Sequence, residues 1–230
     1  MKNLLLLSNS TNYGEQYMQW CKSIIASFVS GQTKSIVFVP YAAVDFSYEE
    51  YTDKVNTALL EYAIEVINLD AVENKNEAIA NASAIFVGGG NTFHLLKTLQ
   101  DLDLVVDIQK AVDTGTYYAG WSAGSNIATP SICTTNDMPI VQPSSFNALG
   151  LVDFQINPHY TERVIENHGG ESRKKRLQEY LAANSTQRVV CIPEGTYIRG
   201  SGQCMEFKGV EKGKILTHTR EVEIEDNYKF

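Results

Sequence analysis

Apolar positions fall in short unbroken runs set among longer polar and mixed stretches. Ala84-Ile85-Phe86-Val87 and Val189-Val190-Cys191-Ile192 are continuous enough to be strands buried on both faces, and Phe154-Gln155-Ile156-Asn157 alternates like a strand buried on one. The pattern predicts strands near 3–8, 35–40, 63–69, 83–88, 116–119, 153–157, 188–193 and 196–199, with a late hairpin of 203–208 and 214–218. Helices are predicted near 13–29, 48–60, 74–80, 91–99, 104–113, 123–128 and 172–183. Strand then helix, repeated, predicts an α/β fold: a doubly wound, mostly parallel sheet with helices on both faces. Such sheets carry their chemistry at the carboxyl ends of the strands.

One of those strand ends is Ala119-Gly120-Trp121-Ser122-Ala123-Gly124-Ser125. Glycines two before and two after a serine are the signature of a nucleophile elbow, a strained strand-to-helix turn that leaves no room for a neighbouring Cβ and holds the serine out. Standing alone, G-x-S-x-G is more often a small-residue turn, so its surroundings decide. The strand at 83–88 runs into Gly88-Gly89-Gly90-Asn91-Thr92 and then a helix, which turns free N–H groups outward. With the N–H of Ala123, that of Gly90 would make an oxyanion hole. The competing reading is a phosphate cradle or a simple tight turn. Neither G-x-x-x-x-G-K-[ST] nor G-x-G-x-x-G spacing is complete, which disfavours a nucleotide site.

A nucleophilic serine needs a base. Of four histidines, His94 lies one turn into a helix, His218 sits near a polar C-terminus, and His168 precedes two glycines in a polar loop; each reads as a partly solvated side chain. His159 follows Pro158 at a strand exit and is the candidate base. Two carboxylates compete to orient it. Glu194, in Pro193-Glu194-Gly195, follows the strand at 188–193 and is favoured; Asp137 lies in the loop between the elbow helix and the histidine strand. With Glu194 the order is Ser, His, Glu, unlike the Ser, acid, His order of α/β-hydrolases.

Ser8-Asn9-Ser10-Thr11, Tyr51-Thr52-Asp53-Lys54, Gly88-Gly89-Gly90-Asn91-Thr92-Phe93, Gly120-Trp121-Ser122-Ala123-Gly124, Thr134-Thr135-Asn136-Asp137-Met138-Pro139-Ile140-Val141, Ile156-Asn157-Pro158-His159 and Pro193-Glu194-Gly195 occur in an order that resembles the peptidase E family of α-aspartyl dipeptidases over nearly the whole chain. The resemblance implies a class I glutamine-amidotransferase-like fold and a serine peptidase that removes N-terminal aspartate from Asp-X dipeptides without metal or organic cofactor. It carries nucleophile, base and acid onto Ser122, His159 and Glu194, and oxyanion donors onto Gly90 and Ala123. Substrate contacts fall on Asn91, Thr92, Asp137 and Arg173. Arg173 would grip the substrate β-carboxylate and Asp137 its ammonium; the plainer alternative has Arg173 pairing within its own helix, and Asp137 stays open as triad acid. Ser125 and His94 depart from the family, which has alanine and glutamine there. An exopeptidase of the cyanophycinase kind, acting on β-linked aspartyl material, and a catalytically silent binding protein on the same fold are the alternatives.

Composition sets the frame. A chain of 230 residues, 43% hydrophobic, with no low-complexity stretch, reads as one catalytic domain over 1–230. Leu4 to Leu7 is too short an apolar run for a signal-peptide core or a membrane span. Cys21, Cys133, Cys191 and Cys204 show no paired spacing, and reduced thiols suit a cytoplasmic enzyme. A formal charge of −8 argues against nucleic acid, and the one basic cluster, Arg173-Lys174-Lys175-Arg176, reads as a helix turn with Lys174 and Lys175 solvated. The expected partner is a small acidic dipeptide; a homodimer with the site near its interface is compatible with the family.

Overall fold

The computed structural model describes residues 1–32, 35–163, 169–201 and 204–230. Five parallel strands form its centre: β1 (Asn3–Leu7), β2 (Ile36–Val39), β3 (Val66–Asn68), β4 (Ala84–Val87) and β5 (Tyr117–Trp121), ordered β1-β5-β4-β2-β3. Antiparallel β8 (Tyr197–Ser201), β9 (Cys204–Lys208) and β12 (Tyr228–Lys229) extend the β1 edge. Because side chains alternate across a strand, the fully apolar runs feed two cores. Leu4, Leu6, Val37, Val39, Ile85, Val87 and Tyr118 face one, and Leu5, Leu7, Phe38, Phe86, Ala119 and Trp121 face the other. The second core is closed by Ile25 and Phe28 of α1 (Lys22–Phe28) and by Tyr51, Val55 and Leu59 of α2 (Tyr48–Leu59). α3 (Lys75–Asn81), α4 (Thr92–Asp101), α5 (Val105–Asp113) and α6 (Ala123–Ile127) cover the first. Helices on both faces of a mostly parallel sheet are what the alternation predicts.

Two expectations need correction. The helix predicted over 13–29 begins only at Lys22, because Gly14 (φ +81°) and Met18 (φ +61°) take left-handed conformations through which no right-handed helix continues. The late hairpin does not form. β9 pairs with β8, whereas β10 (Gly213–Thr217) pairs with β7 (Arg188–Ile192) and β11 (Glu221–Ile224) in a second sheet ordered β11-β10-β7-β6, where β6 is Gln155–Pro158. Burial explains the split: Ile215 and Ile224 join the first core while Leu216 faces a third cluster with Leu177 and Leu181 of α7 (Arg173–Ala183). α6 packs on both β5 and β6, so it joins the sheets at the end where β5, β6 and β7 finish.

Charge holds the outer face of the small sheet. Lys214 Nζ lies 2.8 Å from Glu162 and 2.6 Å from Glu221, and Lys174 lies 2.6 Å from Glu221. Lys174 is therefore paired rather than solvated. These contacts hold the Glu162 and Glu221 carboxyls below their ordinary range, chiefly through hydrogen bonds from Lys214 and Lys174 respectively, and donating to Glu162 and Glu221 pushes Lys214 up to about 12. The carboxylate contribution is complete above the ordinary carboxylate range and is lost as pH falls through it; the lysine contribution is complete below the ordinary lysine value and is lost as pH rises through about 12. Glu162 and Glu221 are 44% and 34% exposed, so Lys214→Met should cost only about 1 kcal/mol in urea unfolding at neutral pH, with a smaller difference at a second, acid pH where the carboxylates protonate. An equal cost at both pH values would place the effect in packing.

Candidate active site

β5 ends in a turn that only its glycines permit. A Cβ on Gly120 would lie 2.3 Å from Gly124 O, and one on Gly124 would lie 2.1 Å from Val87 O. Between them Ser122 adopts φ +53°, ψ −112°, a conformation strained for a residue with a side chain, and precedes the first residue of α6. The glycine loop after β4 lies alongside. Gly90 takes φ +138°, and a Cβ there would meet Ala42 O at 2.2 Å; Gly89 has room for none without pressing on Ser122 Cβ. Ala123 N–H belongs to a helix first turn, which has no intrahelical acceptor. Tyr51 ties elbow to loop: Trp121 Nε1 donates to its hydroxyl at 3.0 Å, and that hydroxyl donates to Gly89 O at 3.0 Å. No local pattern marks Tyr51 for this.

The second sheet brings the other groups. His159, at φ +53° just past β6, places Nε2 2.8 Å from Ser122 Oγ and Nδ1 2.9 Å from Glu194 Oε1. With the ring proton on Nδ1 and donated to Glu194, Nε2 is free to accept from the serine hydroxyl. The histidine side chain is 35% exposed and the glutamate 53%, so the triplet opens to solvent. Asp137 lies elsewhere: its Oδ2 accepts from Thr92 N at 2.7 Å, Thr92 Oγ1 at 2.5 Å and Thr135 Oγ1 at 3.1 Å, a carboxylate at the positive end of α4. The carboxylate hydrogen-bonded to His159 is that of Glu194.

Asn91 caps α4, accepting from His94 N at 3.0 Å and donating to Met138 O at 2.9 Å, so the 134–140 loop is fastened to the glycine loop. Half-buried Arg173, first residue of α7, donates through Nη1 to His159 O, which brings the guanidinium to the triplet. Burial first, and Arg176 second, pull it below its ordinary value. Of the remaining histidines, His94 Nδ1 is engaged with Tyr41 O at 2.7 Å, His218 is exposed, and His168 lies outside the described residues. Ser125 is buried with Oγ 2.6 Å from Leu7 O and 2.8 Å from Gly120 O, so its hydroxyl bridges β1 and β5.

The family model of peptidase family S51 matches residues 4–207. The chain belongs to family S51. It is 50% identical over 198 residues to a peptidase E of a Nostoc species, covering 86% of this chain and 82% of that protein, and 44% identical over 207 residues to the peptidase E of Pasteurella multocida, covering 88% and 87%. A crystal structure of a candidate peptidase E from Listeria monocytogenes superposes with a TM-score of 0.71 at 27% identity, covering 92% of this chain and all of that one. A peptidase from an actinobacterium shares the fold at a TM-score of 0.74 and 17% identity, covering 100% and 96%. This S51 chain is a peptidase, and it carries the S51 fold with a Ser-His-Glu hydrogen-bonded triplet at the strand ends. Among its described residues no helix is long and apolar enough to cross a membrane.

Proposed function

We propose that this S51 peptidase is a serine-type dipeptidase that releases N-terminal aspartate from Asp-X dipeptides through an acyl-enzyme. The unbroken chain Ser122 Oγ, His159 Nε2, His159 Nδ1, Glu194 Oε1, with links of 2.8 and 2.9 Å, carries the reading. His159 takes the Ser122 proton as Oγ bonds to the aspartyl carbonyl carbon. The negative charge that collects on the carbonyl oxygen falls to the N–H groups of Gly90 and Ala123, each such donor being worth about 3 kcal/mol in other serine hydrolases. As the C–N bond breaks, the same proton passes to the leaving amine. Water then attacks the ester, giving its proton to His159 and restoring the serine hydroxyl as aspartate leaves. Glu194 holds the imidazole in the tautomer this requires and stabilises the imidazolium.

For specificity the substrate presents an ammonium and a β-carboxylate. On this reading Asp137, whose Oδ2 is committed to Thr92 and Thr135, offers Oδ1 to the ammonium; Arg173, with one nitrogen on His159 O, offers its remaining donors to the β-carboxylate; and Asn91 and Thr92 shape the pocket floor. The reading takes the enzyme to be cytoplasmic and its substrate to be a small acidic dipeptide.

The two carboxylates test it. Glu194→Gln should lower kcat by about 100- to 10,000-fold with little change in KM, because a misoriented imidazole hurts the transition state rather than binding. Asp137→Asn should chiefly raise KM, and acetylating the substrate amine should cost the wild type far more than this variant. If Asp137→Asn instead abolishes turnover and leaves KM intact, the roles are exchanged. No step calls on a metal, so EDTA should leave the rate unchanged.

A further inference from the structure

Three consecutive residues at the carboxyl end of β1 each hold one corner of the triplet. Leu7 O accepts from Ser122 N at 3.1 Å, Ser8 Oγ accepts from His159 N at 2.8 Å, and Asn9 Oδ1 accepts from Gly195 N, next to Glu194, at 2.9 Å. Ser8 N donates to Thr196 O at 3.0 Å, and Ser8 Oγ donates to Ile192 O at 2.8 Å, so the same residue also fixes the loop that carries Glu194. Leu7 and Ser8 are fully buried and Asn9 is 2% exposed. We propose that Leu7-Ser8-Asn9 is the positioning template that registers Ser122, on the large sheet, against His159 and Glu194, on the small one, with Ser8 a positioning residue acting through His159. The proposal rests on the serine-peptidase reading of that triplet.

The chemistry singles out Ser8. His159 sits at φ +53°, a backbone state that persists only where its surroundings dictate it. Those surroundings are three hydrogen bonds around one residue: Asn136 Nδ2 to Pro158 O at 2.7 Å, His159 N to Ser8 Oγ, and Arg173 Nη1 to His159 O. Removing the Ser8 hydroxyl falls selectively on the histidine, because Ile192 O keeps the N–H of Tyr160 at 3.1 Å whereas His159 N–H loses its acceptor. Leu7 contributes through its backbone, so side-chain replacement reaches the template only at Ser8 and Asn9.

The test compares wild type, Ser8→Ala, Ser8→Thr and Asn9→Ala for thermal unfolding, for kcat and KM on Asp-Leu, and for the rate at which a fluorophosphonate labels Ser122. In labelling, Oγ bonds to phosphorus, fluoride leaves and His159 takes the proton, so the rate reads serine activation without the dipeptide pocket. Ser8→Ala should stay folded, lose about 10- to 100-fold in kcat and in labelling rate, and change KM by less than about threefold. Ser8→Thr, which keeps the acceptor oxygen, should exceed Ser8→Ala on both rates, and Asn9→Ala, which removes the acceptor for Gly195 N, should lower both rates. The proposal is overturned if Ser8→Ala keeps kcat within about twofold of wild type, if the loss merely follows the folded fraction, or if Ser8→Thr does not exceed Ser8→Ala on either rate. A wild type that neither turns over Asp-Leu nor takes the label would instead remove the premise, and that arm reports before any variant is made.

Discussion

Ser122→Ala should abolish hydrolysis of Asp-Leu, with a fall in kcat on the order of 10,000- to 1,000,000-fold, while the protein stays folded. The substitution deletes one partly exposed oxygen whose hydrogen bond is to His159, and it leaves Gly120, Gly124 and the packing of α6 untouched. Stability should therefore stay within about 1 kcal/mol of wild type. The matching change at the histidine is His159→Asn rather than alanine, because asparagine tolerates the left-handed backbone found there. It should lose activity to a similar degree, since the serine then lacks a base. The losses should not add in the double variant, because the two groups act as one unit. Activity within about tenfold of wild type in either single variant would sink the serine mechanism.

Arg173→Met should reduce kcat/KM for Asp-Leu by the equivalent of about 2–4 kcal/mol, the cost of leaving a charged substrate group without its partner. The structure adds a complication that can be measured. Arg173 also donates to His159 O, so its loss loosens the histidine for every substrate alike. The two effects separate in a double difference: Asp-Leu and Asn-Leu on wild type and variant. Loss of the carboxylate grip narrows the Asp over Asn ratio, whereas loss of the backbone contact lowers both substrates equally. A lowered rate with an unchanged ratio would confine Arg173 to holding His159 and move the choice of aspartate to Asn91 and Thr92.

Features set by steric necessity were legible in the sequence. Gly120, Gly124 and Gly90 each lie against a carbonyl oxygen closer than any Cβ could approach, so the glycine pattern maps directly onto the elbow and the loop beside it. His159 and Glu194 were legible as polar residues at the exits of apolar strands. Their sheet was not, because Val189 to Ile192 is as apolar as a strand of the main sheet, and partner choice follows from which side chains reach which core. The break before α1 was hidden because Met18, unlike Gly14, carries no local warning of a left-handed backbone. Asp137 was ambiguous for a related reason: its contact with Thr92 spans 45 positions and depends on the path of the intervening loop. The roles of Ser8 and Asn9 rest on contacts 151 and 186 positions away, which no periodicity or spacing records.

The most direct measurement is a four-substrate panel with the purified protein: Asp-Leu, Glu-Leu, Asn-Leu and β-aspartyl-leucine, with kcat/KM for each. Asp137, hydrogen-bonded to Thr92 at the start of α4, and Arg173, hydrogen-bonded to His159 O, should make Asp-Leu the preferred substrate by about 2 kcal/mol or more over Asn-Leu, the scale of one charge-assisted contact, and should leave the β-linked peptide uncleaved. Preference for β-aspartyl-leucine, or equal rates on Asp-Leu and Asn-Leu, would contradict the account.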